Sequence, residues 1–288
     1  AGVSTSTASR ALRSSELANK YTAYRVRKAA RQLGYKPNPL ARTLRQGRSN
    51  MIGVIVDDIA APSIGGIVRA IETYARKSMF TLILGNAENI ASLESSYLEV
   101  FTQYWVDGII FASGKTKDIG HLDSITSVPL VLAYCYSAHS DVPTVIPDNY
   151  GGALSAVNTL LDYGHHSLSC DSHLIQTGDW SFDSGYRAMQ EILEKSRPRF
   201  PTALFVANDA MALGAIDAIL AFGLSVPNDI SVMGFDDSII ASYSRPRLST
   251  VRIPYDSIGQ NAFDLLLRLI DKDASVDSSE QKKYEQIE

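Results

Sequence analysis

The chain has little cysteine, no long apolar run and no signal-peptide core. Its 288 residues include two cysteines, Cys135 and Cys170, which form neither a disulfide framework nor a metal-ligand pattern. No apolar run reaches the roughly 18 residues of a membrane-spanning helix, and the N-terminus is polar after its first three residues. We therefore expect a cytoplasmic protein that does not enter a membrane.

The chain also lacks the motifs of catalysis and cofactor binding. No Ser-His-Asp arrangement, P-loop or GxGxxG string occurs, and the segment 63–66 is a poor phosphate cradle. The histidines have no zinc-ligand spacing. His165 and His166 are adjacent, which favours helix capping or solvation over a metal pair. These features predict a protein that is not an enzyme and uses no cofactor or metal.

Acidic residues are scarce in the first 48 positions. Eleven of the 27 Lys and Arg residues lie there against one acid, Glu16, so the head carries about +10 (11 − 1). The remaining 16 bases and 30 acids give residues 49–288 about −14. A basic head on an acidic body is typical of a chain that binds nucleic acid at one end. A solvated basic tail is the weaker alternative, because apolar residues recur among the bases at helical spacing.

The start of the head predicts a helix suited to the major groove of DNA. Ser4 can cap it, and an inward apolar set follows helical spacing: Val3, Ala8, Ala11 and Leu12. The same spacing turns hydroxyls and one arginine outward: Thr5, Ser6, Ser9 and Arg10. Hydroxyls contact base edges or phosphates, and an arginine can grip guanine through two hydrogen bonds.

Two further helical pieces complete the head. The second is predicted from Thr22, as N-cap, to Gly34, as the residue after the C-terminus. The third runs from Asn38, as N-cap, through Pro39 to Gln46. This third piece is too short to be stable alone, so we expect it to fold only when something holds it.

The body alternates buried β-type runs with amphipathic helical runs. The predicted strands are 51–57, 80–84, 108–112, 130–133, 203–207, 231–235 and 248–253. The predicted helices are 64–77, 91–105, 151–163, 182–195, 209–222 and 255–270. This alternation predicts an α/β fold with two doubly wound parallel sheets.

Polar residues follow several predicted strands at their carboxyl ends, where such sheets bind ligands. They are Asp57-Asp58, Ser113, Asp148-Asn149, Asn208-Asp209 and Asp236-Asp237. A single polar strand end is more often a helix cap than a ligand contact. So many converging ends favour a cleft for a hydroxylated small molecule. Trp180 can stack on a sugar-like ring or act as a helix staple, and the sequence leaves both readings open.

The order of these strings resembles the lactose/galactose repressor (LacI/GalR) family. The strings are AGVSTSTASRAL, VRKAARQLGYKPNPLARTLRQGRSNMIGVIVDD, TALFVANDAMALG, VPNDISVMGFDD and LSTV, and they cover nearly the whole chain. The resemblance implies a helix-turn-helix head, a hinge helix and a periplasmic-binding-protein-like effector domain. It therefore implies an effector-controlled repressor that binds palindromic operator DNA as a homodimer and responds to a sugar or sugar derivative.

The resemblance also assigns roles and boundaries. The implied DNA contacts are Ser4, Thr5, Ser6, Thr7, Ser9 and Arg10 in the head, with Asn38, Leu40, Ala41 and Leu44 in the hinge. The implied effector contacts are Ser63, Ser113, Trp180, Asn208 and Asp236. The expected domains are residues 1–36 (head), 37–48 (hinge), 49–163 with 254–271 (first lobe), and 164–253 with 272–288 (second lobe).

Two features depart from the family pattern. Residues 167–178 are too few for a strand–helix unit, which needs roughly 30 residues, so an element was lost or a stretch was omitted from the sequence. The family's effector-binding arginine from that stretch has no counterpart here. A solute-binding protein of a transport system would share the two-lobed body, but the basic head argues against it.

Overall fold

A computed structural model describes residues 1–13, 19–35, 47–120, 127–165, 174–196, 199–273 and 284–287. The chain divides into two compact units, Ala1–Asn50 and Met51–Glu288. This division lies two residues from the end of the basic head that the charge distribution marks.

The described part of the first unit contains two helices, α1 (Thr5–Arg13) and α2 (Lys20–Gln32). Ala11 of α1 packs against Ala23 and Val26 of α2, and all three are buried. Around this small core lie the other predicted inward residues of α1: Val3, Ala8 and Leu12. The apolar spacing of residues 3–12 therefore predicted the packed face of α1.

The ends of α2 correct one prediction and confirm another. Asn19 is the N-cap instead of Thr22, because its Oδ1 accepts a hydrogen bond from the Tyr21 amide at 2.9 Å. The helix therefore begins three residues earlier, and Thr22 lies within its first turn. Gly34 has a φ of +60°, the left-handed conformation that a glycine after a helix end readily adopts. The predicted helix at 38–46 lies outside the described residues.

Within its described residues, the second unit is framed by nine parallel strands. Six make one sheet: β1 (Met51–Val56), β2 (Thr81–Asn86), β3 (Gly108–Ala112), β4 (Leu130–Ala133), β5 (Thr144–Pro147) and β9 (Tyr284–Ile287). Their order is β2-β1-β3-β4-β5-β9. Three make the other sheet, in the order β6-β7-β8: β6 (Ala203–Phe205), β7 (Ser231–Asp236) and β8 (Ser249–Arg252).

The first sheet is covered by helices on both faces. Helices α3 (Pro62–Lys77) and α9 (Tyr255–Asp273) lie on one face with Val54 of β1, whereas Ile55 packs with α4 (Ala91–Gln103) on the other. Successive strand residues point to opposite faces, so a strand buried on both faces must be apolar throughout. This explains why residues 51–56 lack an alternating polar pattern.

The second sheet is also covered on both faces. Helices α6 (Phe182–Lys195) and α7 (Asp209–Ala221) pack with Val232, and a short helix α8 (Ile239–Tyr243) joins them. Helix α5 (Asn149–Asp162) packs with Met233 on the opposite face. The predicted α/β architecture of two parallel-sheet lobes is therefore confirmed.

Two predicted lobe assignments are wrong. Helix α5 was expected in the first lobe, but its Ala156 and Leu160 pack on Met233 of the second sheet. The chain therefore crosses between the sheets at Asp148, directly after β5. The C-terminal segment was expected in the second lobe, but β9 pairs in parallel with β5 of the first sheet, with Val145 opposite Glu285. This pairing supplies hydrogen-bonding partners for one side of β5.

Helices α6 and α7 cross so closely that both need glycine at the contact. A Cβ on Gly214 would lie 2.0 Å from the Phe182 carbonyl oxygen, and one on Gly185 would lie 2.1 Å from the Met211 oxygen. Both distances are far below any normal carbon–oxygen contact, and both neighbours are backbone atoms that cannot rotate away. The two glycines therefore fix how α6 sits on α7.

Candidate DNA-reading helix and effector cleft

Helix α1 presents a polar outer surface in the first unit. Thr5, Ser6 and Arg10 are exposed, whereas Thr7 and Ser9 are half-buried. Ser4 precedes the helix, and its hydroxyl accepts a hydrogen bond from the Thr7 amide at 3.2 Å, as an N-cap does. The outer surface thus combines small hydroxyls with one long cationic side chain.

The predicted DNA contacts fall into two groups, those on or beside α1 and those outside the described residues. Six lie on or beside α1 and share its polar surface or its N-terminus: Ser4, Thr5, Ser6, Thr7, Ser9 and Arg10. The four predicted hinge contacts lie outside the described residues: Asn38, Leu40, Ala41 and Leu44.

In the second unit, Asp57 is a buried carboxylate at the carboxyl end of β1. Its Oδ2 accepts a hydrogen bond from the Ser113 hydroxyl at 2.6 Å and pairs with the Lys117 ammonium at 3.0 Å. Its Oδ1 accepts hydrogen bonds from the backbone amides of Asp58 and Gly114, both at 2.8 Å. The carboxylate is therefore fully engaged in holding the loop after β3.

Two predicted effector contacts of the first lobe are structural supports of this loop. Ser113 is 0% exposed and donates to Asp57, while Ser63 is 3% exposed and donates to the Gly114 carbonyl at 2.8 Å. In this structure both hydroxyls donate to protein acceptors, and each oxygen can still accept a hydrogen bond. Their roles as direct effector contacts stay predictions.

Asn208 of the second lobe caps a helix and also fixes Trp180. Its Oδ1 accepts from the Met211 amide at 2.8 Å, and its Nδ2 donates to the Trp180 carbonyl at 3.0 Å. Trp180 has a φ of +72°, and its side chain is 47% exposed. The amide of Asn208 therefore holds an indole ring that is open to ligand.

Asp236 lies where the second sheet meets the first lobe. The Tyr255 hydroxyl, from the first residue of α9, donates to its Oδ1 at 3.3 Å. Tyr134, directly after β4, packs edge-on against Tyr255 with ring centroids 5.9 Å apart. Three segments that are distant in sequence thus meet at one carboxyl group.

The environment of Asp236 favours its neutral form. Burial, followed by the negative charge of Asp209, raises the pKa of Asp236 from 3.8 to about 7, although the hydrogen bond from Tyr255 acts in the opposite direction. The Asp209 carboxylate is itself bound by hydroxyls, those of Thr250 at 2.6 Å and Ser238 at 2.8 Å. Asp236 can therefore act as donor or acceptor near neutral pH.

Lys115 and Trp180 form a second contact between the lobes. The Lys115 ammonium, on the loop that Asp57 holds, lies 5.9 Å from the centroid of the Trp180 ring. This is near the outer limit of a cation–π interaction. The lobes are thus in contact through Asp236 and Tyr255 at one place and through Trp180 and Lys115 at another.

A groove of about 420 Å³ adjoins the crossovers between the lobes. It is lined by the start of α5, by Phe235 and Val251, and by residues 252–254. Phe235 and Asp236 are consecutive in β7, so the groove is on the α5 side of the strand whose carboxyl end carries Asp236.

Sequence reasoning missed Tyr134, Tyr255 and Lys115. The only sequence signal for Tyr134 and Tyr255 was position, since one follows a predicted strand and the other begins a predicted helix. Lys115 lies two residues beyond Ser113 and carried no pattern. Within the described residues, no group of three or more His, Cys, Asp or Glu could hold a metal ion.

None of the described helices is both long and apolar enough to cross a membrane. A small helical head with a polar reading surface, followed in the chain by a two-lobed body with a polar cleft, defines a ligand-responsive DNA-binding regulator. Comparison with known proteins supports this class for each part of the chain.

Three family models together match most of the sequence. Residues 1–38 match the bacterial regulatory proteins of the lacI family. Residues 49–171 match the periplasmic binding proteins and sugar binding domain of the LacI family, and residues 157–286 match a periplasmic binding protein-like domain. The model boundaries follow the division between the two units.

Individual relatives match along nearly their whole length. The transcriptional repressor CytR of Escherichia coli K12 is 32% identical, over 93% of this chain and 86% of that protein. Catabolite control protein A of Priestia megaterium is 32% identical, over 97% of this chain and 92% of that protein. A crystal structure of the Lac repressor dimer bound to operator and the anti-inducer ONPF has a TM-score of 0.78 at 28% identity, covering 95% of this chain and 91% of that one.

The chain therefore belongs to the LacI family of bacterial regulatory proteins. It is a DNA-binding transcriptional repressor with an effector-binding domain, and the relatives named above are regulators of transcription, not enzymes.

Proposed function

We propose that a small, sugar-like effector binds between the two lobes and controls how tightly the head binds operator DNA. The observation that carries this proposal is the position of Asp236. Its carboxyl group comes from the second lobe, yet it is held by Tyr255 and lies near Tyr134 of the first lobe. A ligand bound to Asp236 must therefore favour one arrangement of the lobes over another.

Within this cleft, Asp236 and Trp180 are the proposed direct contacts. A carboxyl group that donates and accepts near neutral pH suits a hydroxyl, which can do both. The indole ring, which is 47% exposed, offers an apolar face for the ring of a sugar-like molecule. Asn208 positions this ring and can offer its amide once the lobes move. Ser63 and Ser113 shape the loop that carries Lys115, and their direct contact with the effector stays a prediction.

On the DNA side, we propose that Thr5, Ser6 and Arg10 of α1 read base edges in the major groove. Thr7 and Ser9, which are half-buried, are assigned to phosphate contacts together with Ser4. The hinge contacts Asn38, Leu40, Ala41 and Leu44 remain proposals from the family pattern, with Leu44 wedged into the minor groove.

We further propose that the repressor acts as a homodimer on a palindromic operator in the cytoplasm. The Lac repressor, which has the same fold, is a dimer on its operator in the crystal. A two-fold dimer places two copies of α1 on two half-sites, so that operator symmetry mirrors protein symmetry.

A ligand screen tests the cleft. Thermal unfolding of the wild-type chain and of Asp236→Ala is followed against sugars, sugar phosphates and nucleosides, because a ligand that binds only the folded state raises the melting temperature. A compound in the panel should stabilise the wild type and not the variant. Equal stabilisation of both proteins would place the ligand elsewhere and refute the assignment of Asp236.

A further inference from the structure

Tyr255 is held at the junction of the lobes from two sides. The α3 backbone crowds its base, since a Cβ on Gly66 would lie 2.9 Å from the Tyr255 Cβ. The Tyr134 ring packs edge-on against the Tyr255 ring at 5.9 Å. Both contacts come from the first lobe. The hydroxyl, in contrast, donates to Asp236 of the second lobe.

The partner of this hydroxyl is also in an unusual conformation. Asp236 has a φ of +112° and Asp237 has a φ of +52°, both in the left-handed region that non-glycine residues seldom adopt. The neighbouring cation is Arg252. Its guanidinium pairs with Asp237, a different carboxylate from Asp236, at 2.6 Å. The polar groups that face Asp236 from the surrounding elements are therefore Tyr255, Tyr134 and the Asp209 carboxylate.

The carboxyl group of Asp236 is held by two donors. Its Oδ1 accepts a hydrogen bond from the Tyr255 hydroxyl, and the Asp209 backbone amide also donates to the carboxyl group. A hydrogen bond to a carboxylate favours the ionised form, and burial beside Asp209 favours the neutral form. The hydrogen bond from the Tyr255 hydroxyl thus lowers the pKa of Asp236, whereas burial and the charge of Asp209 raise it.

We propose that Tyr255 is a positioning residue for effector recognition, which orients the carboxyl group of Asp236 at the junction of the lobes and sets whether that group donates or accepts. The inference deepens the proposed effector function and rests on it. A neutral Asp236 donates to a carbonyl, ether or ring-nitrogen acceptor, and an ionised one accepts from ammonium or amide donors. The class of ligand taken by the cleft is a polyhydroxyl compound, because hydroxyls satisfy both states.

The consequence for protonation can be measured without any effector. The carboxyl carbon of Asp236 is followed by carbon-13 NMR as a function of pH in the full chain, with Asp236→Asn used to assign the resonance. The wild type should titrate near neutral pH, in keeping with a pKa of about 7. Tyr255→Phe keeps the ring and its packing and removes only the hydroxyl.

In Tyr255→Phe the midpoint of Asp236 should rise by on the order of one pH unit, because the ionised form loses its donor. Tyr134→Phe is the matched control. It removes the other hydroxyl of the aromatic pair, whose hydrogen bond is with Tyr255, so the midpoint should move less than in Tyr255→Phe. A midpoint that stays in place or falls in Tyr255→Phe would overturn the inference.

This result is separable from the proposed function. If Asp236→Ala still responds to a ligand while Tyr255→Phe shifts the midpoint, the cleft assignment fails and the proton coupling stands. If the midpoint does not move while Asp236→Ala loses the response, Asp236 binds the effector without help from Tyr255.

Discussion

At the residue scale, most of the polar side chains at the strand ends bind each other. Asp57 is the clearest case, because one carboxylate accepts from Ser113, from two backbone amides and from Lys117 while only 3% exposed. Sequence reasoning read such ends as contacts for a ligand. In the structure several of these side chains bind each other, whereas Trp180 is 47% exposed and Asp236 is held by Tyr255.

Replacement of Asp57 should therefore be costly. In Asp57→Asn the buried carboxylate is lost, Lys117 loses its ion-pair partner and keeps a hydrogen bond to Asn89, and one amide hydrogen must find an acceptor. We expect a loss of about 3 kcal/mol in the free energy of unfolding, measured by urea denaturation. The control is Asp58→Asn, since that side chain accepts one local hydrogen bond from the Ala60 amide at 2.9 Å. It should cost under about 1 kcal/mol, and equal losses in the two variants would contradict the role of Asp57.

The raised pKa of Asp236 predicts the pH dependence of stability. Its pKa is about 7 in the folded chain against an ordinary value of 3.8, so between these values the folded state holds a proton that the unfolded state releases. Stability therefore falls as pH rises from about 4 to about 7 and then levels off. The total loss is at most about 4 kcal/mol, at 1.36 kcal/mol per pH unit.

Asp236→Asn has no titratable group at position 236, so its stability should not show this fall with pH. The measurement is the free energy of unfolding of the wild type minus that of the variant, in urea, at pH values from 5 to 8. This difference should decline steadily up to pH 7. A difference that stays flat or increases with pH would mean that Asp236 is ionised across this range.

At the scale of elements, the contact between α6 and α7 depends on backbone approach. Gly214→Ala would put a methyl group 2.0 Å from the Phe182 carbonyl oxygen, so the helices must separate. We expect a loss of about 3 kcal/mol or more, at the upper end of overpacking costs. Gly65→Ala in α3 is the matched control, because nothing lies within 4 Å of its Cβ position. It should be neutral or stabilising by up to about 1 kcal/mol.

The exposed surface of α1 gives a prediction about DNA. If Arg10 binds a guanine base, Arg10→Ala should weaken operator binding by about 1–3 kcal/mol and relax specificity at one base pair. Fluorescence anisotropy on an operator selected from random duplexes, with each base pair changed in turn, measures both effects. An equal loss on every sequence would make Arg10 a phosphate contact instead.

The strongly patterned elements could be predicted from the sequence, and the weakly patterned ones could not. Strands 108–112 and 130–133 and helix 182–195 have the predicted bounds, because each is a continuous apolar run or carries a clear helical repeat. Strand β5 was missed, since it has four residues, ends in proline and follows Pro143. Helix α8 was also missed, because it has only five residues.

The site could be predicted only in part, because its members are far apart in the chain. Asp236 and Trp180 were found through the family pattern, but Tyr134 and Tyr255 lie in segments whose meeting depends on the path between the lobes. That path was itself predicted wrongly at α5. No periodicity within a helix or strand reports which lobe the element joins.

At the scale of the whole molecule, charge and function are divided between the two units. The head carries about +10 and the remainder about −14, counted as 11 bases against 1 acid and 16 against 30. The head therefore favours contact with the DNA phosphates, and the acidic body does not. Under the proposed function, the body influences operator affinity by changing the arrangement of the heads.

The most direct test is operator binding by the wild type and by Asp236→Ala, with and without the compound found in the thermal screen. For the wild type, the compound should change the dissociation constant of the selected operator by roughly 5-fold to 150-fold, the usual range of coupling between sites. Asp236→Ala should bind the operator as tightly as the wild type without the compound and show no change when it is added. An unchanged response of Asp236→Ala at the same ligand concentration would contradict control through the cleft.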